Sequence, residues 1–282
     1  MIEKSLKPPS HLEPCIFCSG CTRVIEPSYT ECLACDVLMS RRPAAAYDKD
    51  YYYFGINARS PEARERAEML WRLFRRYIDS CVCLDFGCND GSFVEVATRN
   101  GARCEGTDVN EHAIALAKEA GYGSFWSPLD LSARKFECVT AFDVIEHFDV
   151  VDDFFKCVDC YLEDNGLLIV TTPNKNSKWR SIYRDGWHGF GIPEYHRFIM
   201  SERCLRRQLT LHGFEVEEFF SSAPIEKLGW KLLVASGYRL KKGAGAKLAA
   251  LPTAVMKFIA GKTLVSGEED TLCVVARKVR QA

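Results

Sequence analysis

The chain has 282 residues, of which 47% are hydrophobic and 27% charged, and its formal net charge is −1 at pH 7. This composition excludes a disordered chain and gives no overall electrostatic preference for nucleic acid. Residues 1–14 carry charges and prolines but no apolar run, so they predict a disordered tail instead of a secretion signal, and no later run is long enough for a transmembrane helix. Fourteen cysteines without such a signal indicate a cytoplasmic protein that uses thiols to bind metal.

Two Cys-x-x-Cys pairs stand in residues 15–45. Their members are Cys15, Cys18, Cys32 and Cys35. Four thiolates at this spacing can surround one zinc ion tetrahedrally, and a segment this short needs a metal in place of a core. Cys21 could replace Cys18, and the alternative is a set of buried or unbound thiols. We therefore predict a zinc ribbon, structural because four thiolates leave no open position for chemistry.

The next two segments connect the ribbon to a larger domain, predicted at 61–282. Residues 46–60 contain the sequence YDKDYYYF and predict an aromatic linker, whose rings either line a substrate cleft or pack the ribbon onto that domain. Residues 61–79 begin with a proline and acids, which favour a helix N-terminus. An apolar stripe through Leu70, Leu73 and Tyr77 supports a helix that precedes the main sheet.

Apolar runs and helical patterns alternate from residue 81 onward. Strands are predicted at 81–86, 103–108, 123–127, 136–142, 165–172, 214–221 and 270–279. Helices are predicted at 91–100, 110–120, 150–163 and 201–212. This alternation predicts an α/β fold with a doubly wound sheet, closed by the last two strands as an antiparallel pair.

The first strand of this sheet leads into a turn of small residues, in the sequence CVCLDFGCNDGSF at 81–93. Gly87 and Gly91 leave room for a ligand to approach the backbone, and the following helix start offers backbone N–H groups. The alternative is an ordinary turn. Asp108 ends the next strand about 20 residues later, where nucleotide-binding folds place a ribose-binding carboxylate.

The turn resembles the first motif of class I S-adenosylmethionine-dependent methyltransferases, D-x-G-x-G-x-G, with Asn89 in place of the middle glycine. Asparagine tolerates a left-handed backbone, so the turn can form. The ribbon is similar to zinc modules at the N-termini of many such bacterial enzymes. The resemblance implies that Asp108 binds the ribose of S-adenosylmethionine, that Val109 packs on the adenine and that Phe142 lies beside the cofactor. The full set of cofactor residues that it implies is Asp85, Gly87, Cys88, Asn89, Gly91, Asp108, Val109 and Phe142.

A second group follows the strand at 136–142, in the sequence FECVTAFDVIEHF. Roughly residues 80–220 resemble the ubiquinone-biosynthesis O-methyltransferases, where an E-x-x-E-H stretch, shared with small-RNA 2′-O-methyltransferases, binds magnesium. The further histidine of the RNA enzymes corresponds to His196 in the sequence HRF. The corresponding residues here are Asp143, which is one methylene shorter than glutamate, Glu146, His147 and His196.

Three interpretations of this group stay open. The four residues could hold a magnesium ion, which would lower the pKa of an acceptor hydroxyl, although histidine ligands leave the choice of metal uncertain. Without a metal, His147 or His196 could act as the general base, with Glu146 beside it. The group could also be structural, capping a helix and anchoring a loop.

Residues 224–267 predict a basic amphipathic insert between the last two strands. From 227 onward they contain eight Lys or Arg and no acid, with apolar residues between the charges. Such a segment either contacts an anionic membrane surface or a lipid-linked substrate, or forms a solvated lid over the active site. The first alternative would place the protein peripherally at the inner face of the membrane.

These observations predict an S-adenosylmethionine-dependent methyltransferase with a structural zinc ribbon. The expected acceptor is a hydroxyl of a sugar, a glycan precursor or another small molecule. One alternative is an RNA 2′-O-methyltransferase, which the near-neutral charge disfavours. The other is an inactive methyltransferase-like zinc-binding module, which the retention of both Asp85 and Asp108 argues against.

Overall fold

The structure is a computed structural model and describes residues 14–46, 60–131, 134–183, 187–223, 264–266 and 269–279. The predicted tail up to residue 13, most of the aromatic linker and nearly all of the basic insert lie outside these ranges. Within the described ranges, none of the helices combines the length and the apolar character needed to cross a membrane.

The N-terminal cysteine segment folds into three short antiparallel strands. They are β1 (Arg23–Glu26), β2 (Tyr29–Cys32) and β3 (Val37–Ser40). A fourth strand, β9 (Phe198–Met200), pairs with β3 from far along the chain. The ribbon and the later part of the chain therefore share one sheet, which the local pattern of three apolar residues at 198–200 does not predict. The proposed boundary between a ribbon at 15–45 and a separate domain stays a prediction.

Eight strands form the large sheet. They are β4 (Val82–Phe86), β5 (Arg103–Thr107), β6 (Ser124–Trp126), β7 (Phe136–Phe142), β8 (Leu162–Pro173), β10 (Phe214–Ala223), β11 (Leu264–Ser266) and β12 (Thr271–Lys278). Their order is β11-β10-β12-β8-β7-β4-β5-β6. Strands β4 to β8 are parallel, whereas β12 runs antiparallel between β8 and β10. This confirms the doubly wound sheet and its closing antiparallel pair, and it adds β11, which the sequence did not predict.

Within the part of the chain that the structure describes, six helices accompany the sheets. They are α1 (Pro61–Ile78), α2 (Ser92–Arg99), α3 (Glu111–Glu119), α4 (Val151–Tyr161), α5 (Lys178–Tyr183) and α6 (Glu202–Leu211). The Ser60 side chain caps α1 by accepting from the Ala63 amide at 3.1 Å. Helix α4 ends before the predicted residue 163, because the chain enters β8 directly at Leu162. Helix α5 and short 3-10 turns at Ile145–His147 and His188–Phe190 were not predicted.

The core lies on both faces of the large sheet, because alternate residues of each strand point to opposite sides. Leu84 and Val139 lie on the face that packs against α4, α6 and the ribbon. Their neighbours Cys83 and Cys138 lie on the other face, which packs against α1, α2 and α3. The carboxyl ends of β4, β5 and β7 consequently meet at one edge, where such sheets bind their ligands.

Candidate active site

Asp85 lies at the end of β4 and is only 3% exposed. Its Oδ1 accepts a hydrogen bond of 2.8 Å from the Thr140 hydroxyl on the neighbouring strand β7. Burial raises the pKa of this carboxyl to about 8. Without a ligand, Asp85 is therefore poised between its neutral and ionised forms, and a nearby cation would favour the ionised form.

The turn after Asp85 has the conformation that its glycines predict. Gly87, Asn89 and Gly91 have φ of 80°, 48° and 74°, all in the left-handed region. Asparagine can therefore stand in for the middle glycine. At Gly91 an added Cβ would lie 2.5 Å from the Phe125 ring, so this position also needs glycine for space. The Gly87 and Cys88 amides donate to the Thr107 carbonyl at 2.8 and 3.0 Å, which ties the turn to β5.

Asp108 follows β5 and supports the same turn. Its Oδ2 accepts from the Asn89 amide at 2.9 Å and its Oδ1 from the Asn110 amide at 2.8 Å. Burial raises the pKa of Asp108 above its usual range. The next residue, Val109, is 65% exposed, so it presents an apolar surface at this edge of the sheet.

Phe142, at the end of β7, packs in the core beneath this edge. Its ring contacts Phe93 of α2, with centroids 4.8 Å apart, and Phe74 of α1 at 5.7 Å. The side chain is only partly buried. All the predicted cofactor residues therefore stand on the turn or at the ends of three adjacent strands, β4, β5 and β7.

A second group forms where β7 ends and β9 begins. One ligand atom from each of Glu146, His147 and His196 lies within 4.8 Å of the others. Glu146 and His147 belong to the 3-10 turn after β7, whereas His196 comes just before β9. A hydrogen bond of 2.7 Å from the Arg197 amide to the Glu146 carbonyl holds the two segments together.

Glu146 is fully buried, with an exposed fraction of 0%. Its Oε2 accepts from the Thr172 hydroxyl at 2.9 Å, but its Oε1 is buried and has no hydrogen-bond partner among the described residues. Burial, together with the nearby Asp143, raises the pKa of Glu146 well above its usual range. Burying a carboxylate oxygen without a hydrogen-bond partner costs free energy, so we expect this atom to bind a proton or a cation.

His147 and His196 are oriented in the same way. Nδ1 of His147 lies 3.1 Å from the Tyr195 carbonyl, and Nδ1 of His196 lies 3.0 Å from the Gly189 carbonyl. Because a carbonyl can only accept, the contact with Gly189 assigns the proton of His196 to Nδ1 and leaves a lone pair on its Nε2, whereas the His147 ring faces two backbone carbonyls, those of Tyr195 and Asp143. Burial lowers the pKa of His147 to about 3 and also lowers that of His196, so both rings are neutral near pH 7.

The Asp143 carboxylate lies outside the three ligand atoms that converge, so the four-residue magnesium site expected from the sequence stays a prediction. Its carboxylate forms an ion pair with Arg66 of α1 and accepts from the Thr171 hydroxyl at 3.0 Å. Its backbone is left-handed, with φ of 55°. The remaining donors are two imidazoles and one carboxylate, a set that suits a first-row transition metal or zinc better than magnesium.

The ribbon cysteines also converge. Ligand atoms of Cys15, Cys18, Cys32 and Cys35 all lie within 4.8 Å of one another. The sulfur atoms of Cys18 and Cys32 are 3.7 Å apart, close to the edge of about 3.8 Å that a tetrahedron with 2.3 Å zinc–sulfur bonds would have. The Cys35 amide donates to Cys32 Sγ at 3.4 Å. Cys21 is exposed and is not part of the cluster.

The pKa values of Cys15 and Cys18 in this cluster are shifted in opposite directions. A hydrogen bond from the Gly20 backbone lowers the pKa of Cys18 to about 7, whereas burial raises that of Cys15 to about 11. The cluster fits a metal, which favours four thiolates.

Several residues that support the site were missed by sequence reasoning. Thr140 and Thr172 are fully buried hydroxyls that hold the two carboxyls, and Arg66 pairs with Asp143. Polar residues inside apolar strands could have signalled the two threonines. Arg66 offered no signal, because its partner stands 77 residues later in the chain.

Comparisons with known proteins agree with this geometry. A family model described as a methyltransferase domain matches residues 55–218, more than half of the chain. The chain belongs to this methyltransferase domain family, and its sheet has the class I, S-adenosylmethionine-dependent architecture.

Relatives within this family include two proteins named ubiquinone biosynthesis O-methyltransferase. The one from Bradyrhizobium diazoefficiens is 30% identical over 158 residues, which cover 48% of this chain and 61% of the relative. The one from Rhodopseudomonas palustris is 30% identical over 166 residues, which cover 51% of this chain and 63% of the relative. The chain thus spans less than two thirds of the length of these relatives.

Solved structures share the fold at lower identity. A SAM-dependent methyltransferase from Archaeoglobus fulgidus superposes with a TM-score of 0.53 at 19% identity, covering 81% of this chain and 99% of the other. A protein from Pyrococcus horikoshii gives a TM-score of 0.52 at 16% identity, covering 81% and 98%.

Proposed function

We propose that this protein transfers a methyl group from S-adenosylmethionine to a hydroxyl oxygen of a small molecule. The observation that carries the proposal is the bond between the Asn89 amide and the Asp108 carboxylate. It joins a turn built for close backbone approach to an acid on the adjacent strand, and both stand at the ligand-binding edge of the sheet. The cofactor, when bound, supplies an activated methyl group on its sulfonium.

The chain's own residues fit this cofactor in three ways. Asp108 would accept from the ribose hydroxyls with the lone pairs that its two backbone bonds leave over. Val109, exposed beside it, would cover one face of the adenine. Asp85, with a pKa of about 8, would ionise beside the cofactor's ammonium group.

The acceptor would be placed by Glu146, His147 and His196. Two neutral imidazoles and a carboxylate oxygen that has no partner among the described residues form a donor set for a divalent cation, which would lower the pKa of a hydroxyl held there. A histidine with a pKa of about 3 is a weak base, so the geometry and electrostatics of His147 favour a ligand over a general base. We infer that the cation is zinc or a first-row transition metal, with magnesium as the alternative.

Both the acceptor atom and the class of substrate can be proposed. Oxygen is the acceptor atom, since the relatives described above are named as O-methyltransferases. A sugar or glycan precursor, free or lipid-linked, is the proposed substrate class, and a precursor of ubiquinone is the other candidate because of those names. An RNA hydroxyl is disfavoured by the net charge of −1.

The ribbon cysteines would hold one zinc ion in a structural role, because a closed set of four thiolates leaves no position for a substrate. We also propose a cytoplasmic location, with contact to the inner face of the membrane through the basic residues of 227–267.

Methyl transfer from isotopically labelled S-adenosylmethionine tests the function. The panel contains sugar nucleotides, lipid-linked glycans, quinols and RNA, each with and without added Mn²⁺, Zn²⁺ or Mg²⁺. A labelled methyl group on an oxygen of a small acceptor supports the proposal, and Glu146→Gln provides the matched inactive control. A protein that fails to bind S-adenosylmethionine in calorimetry would contradict it, and labelled RNA alone would favour the alternative.

A further inference from the structure

The ribbon reaches the group around His196 through a continuous strand pair. In β3, Val37, Leu38 and Met39 face Met200, Ile199 and Phe198 of β9, respectively. The Ser40 amide extends this ladder by donating to the Arg197 carbonyl at 2.8 Å. His196 is the next residue, so its backbone lies at the end of a ladder that the ribbon supplies.

Buried charges hold the ribbon in this place. Lys175, in the segment after β8, is 4% exposed and pairs with both Glu31 of β2, at 2.9 Å, and Asp36, which follows Cys35. Its amide also donates to the Met200 carbonyl at 3.0 Å. Breaking a buried pair on one side leaves an uncompensated charge, so the ribbon cannot shift relative to β9 without a large cost.

Tyr29 connects the ribbon directly to the segment that contains His196. It is fully buried on β2, and its hydroxyl lies 3.3 Å from the Gly189 carbonyl and 3.4 Å from the His196 carbonyl. The Gly189 carbonyl is the same atom that accepts from His196 Nδ1 at 3.0 Å. Burial raises the pKa of Tyr29, so its hydroxyl keeps the proton that it donates. Its ring packs on Phe190, with centroids 5.1 Å apart.

We propose that Tyr29 of the ribbon is a positioning residue for His196. The hydroxyl has one proton, and either acceptor acts on the histidine: one carbonyl holds the ring by Nδ1, and the other belongs to its own backbone. Tyr29 thereby fixes which ring nitrogen is protonated and where the Nε2 lone pair points. The importance of this for catalysis rests on the proposed function, whereas the orientation itself does not.

The test compares the full-length protein with Tyr29→Phe, which removes the hydroxyl and keeps the ring. Tyr161→Phe is the matched control, because the Tyr161 hydroxyl also donates to a backbone carbonyl, that of Pro128, at 3.3 Å in another part of the fold. Long-range proton–nitrogen NMR spectra of ¹⁵N-histidine protein report the ring tautomer and the exchange rate of its N–H proton. The His196→Gln variant assigns the signal.

We expect the wild-type His196 ring to carry its proton on Nδ1. Exchange of that proton should be roughly twofold to tenfold faster in Tyr29→Phe, the range given by losing one neutral hydrogen bond, and unchanged in Tyr161→Phe. Equal exchange in Tyr29→Phe and wild type, or an Nε2-protonated ring in the wild type, would overturn the proposal. If Tyr29→Phe does not fold, the wild-type ring spectrum decides, and an Nε2-protonated His196 ring still overturns the proposal.

The ring spectrum requires neither cofactor nor acceptor. It therefore decides the positioning role even if the methyl-transfer panel yields no product. Calorimetry with S-adenosylmethionine, performed on the same samples, separately tests the proposed function. Unchanged cofactor affinity in Tyr29→Phe is expected, because Tyr29 lies in the ribbon and not on the Asp85 turn.

Discussion

The backbone amide of Asn89 donates a hydrogen bond of 2.9 Å to the Asp108 carboxylate. The turn after β4 and the acid after β5 therefore hold each other in place without a ligand. This bond also stabilises Asn89 in its left-handed conformation, with φ of 48°, where most residues other than glycine are strained. This edge of the sheet is thus organised by the chain itself, so a ligand that binds there would not lose free energy by ordering it.

Asp108→Ala should weaken S-adenosylmethionine binding by about 1–3 kcal/mol, because the ribose hydroxyls lose a charged acceptor and the turn loses its support. Calorimetry on the purified variant measures this. Asp130→Ala is the control, since the Asp130 carboxylate accepts a local hydrogen bond as well, from the Ser127 hydroxyl, but lies on the surface. Wild-type affinity in Asp108→Ala would show that Asp108 does not bind the cofactor.

Asp85 should make the cofactor-free protein less stable as pH rises. Its folded pKa, about 8, is above the usual value of 3.8, so between these limits the unfolded carboxyl is ionised while the folded one is still protonated. The free energy of unfolding should fall by about 1.4 kcal/mol per pH unit in this window and level off above pH 8.

Asp85→Asn cannot ionise and keeps an oxygen to accept from Thr140. Denaturation of both proteins at about pH 5.5 and about pH 7.5 should show that the variant gains roughly 2 kcal/mol relative to wild type between the two values. The ribbon is common to both proteins, so its own pH dependence cancels. A constant difference across this range would mean that Asp85 is ionised in the folded state.

The ribbon should contain about one zinc per chain by elemental analysis. Cys32→Ser should lower the zinc content and the thermal stability, because a buried ligand of the cluster is lost. Cys21→Ser should retain the zinc, since Cys21 is exposed and stands outside the cluster. Zinc binding that survives Cys32→Ser but not Cys21→Ser would show that the ligands were wrongly assigned.

Chelation of this zinc should unfold the ribbon and leave S-adenosylmethionine affinity within about threefold of that of the untreated protein, because metal binding and folding are coupled within the ribbon. Turnover should nevertheless fall, since β3 supports the segment that carries His196. Removing residues 1–46 would disrupt that sheet as well, so point variants are the sharper test. Full turnover by the zinc-free protein would show that the folded ribbon is not needed to support the acceptor site.

Glu146, His147 and His196 should be needed for turnover and not for cofactor binding. Substitution of each by glutamine should lower kcat at least about a hundredfold with S-adenosylmethionine affinity unchanged, because these residues act on the acceptor. EDTA should abolish turnover, and added divalent metal should restore it, with elemental analysis confirming that the ribbon zinc remains.

Asp143→Asn distinguishes the three-residue group found in the structure from the four-residue site expected from the sequence motif. Asp143 pairs with Arg66 and lies outside the three-residue group, so this change should lower kcat much less than Glu146→Gln. An Asp143→Asn variant as inactive as Glu146→Gln would restore the four-ligand site expected from the motif. Near-wild-type kcat in all three glutamine variants would make the group structural, and alignment alone would then account for catalysis.

Local sequence was sufficient to predict the turn after β4 and the acid after β5. Gly87, Asn89 and Gly91 stand within five residues, and the left-handed conformation that they need is a property of each backbone position. Asp108 was predicted from its distance along the chain, because a strand–helix–strand unit has a nearly constant length. The two Cys-x-x-Cys pairs were likewise recognisable, since each pair forms one tight turn and a tetrahedral zinc site requires the four cysteines of both pairs.

Tertiary structure alone decided which members of the second group meet. Asp143 stands three residues before Glu146, yet a left-handed backbone and Arg66, 77 residues earlier, hold its carboxylate outside the group. The sequence predicted the ribbon as a segment before the larger domain, and only its pairing with β9 and the contacts of the Tyr29 hydroxyl show that it supports His196. Such contacts join segments with no periodic relation in the sequence, so they arise only when the packed core brings those segments together.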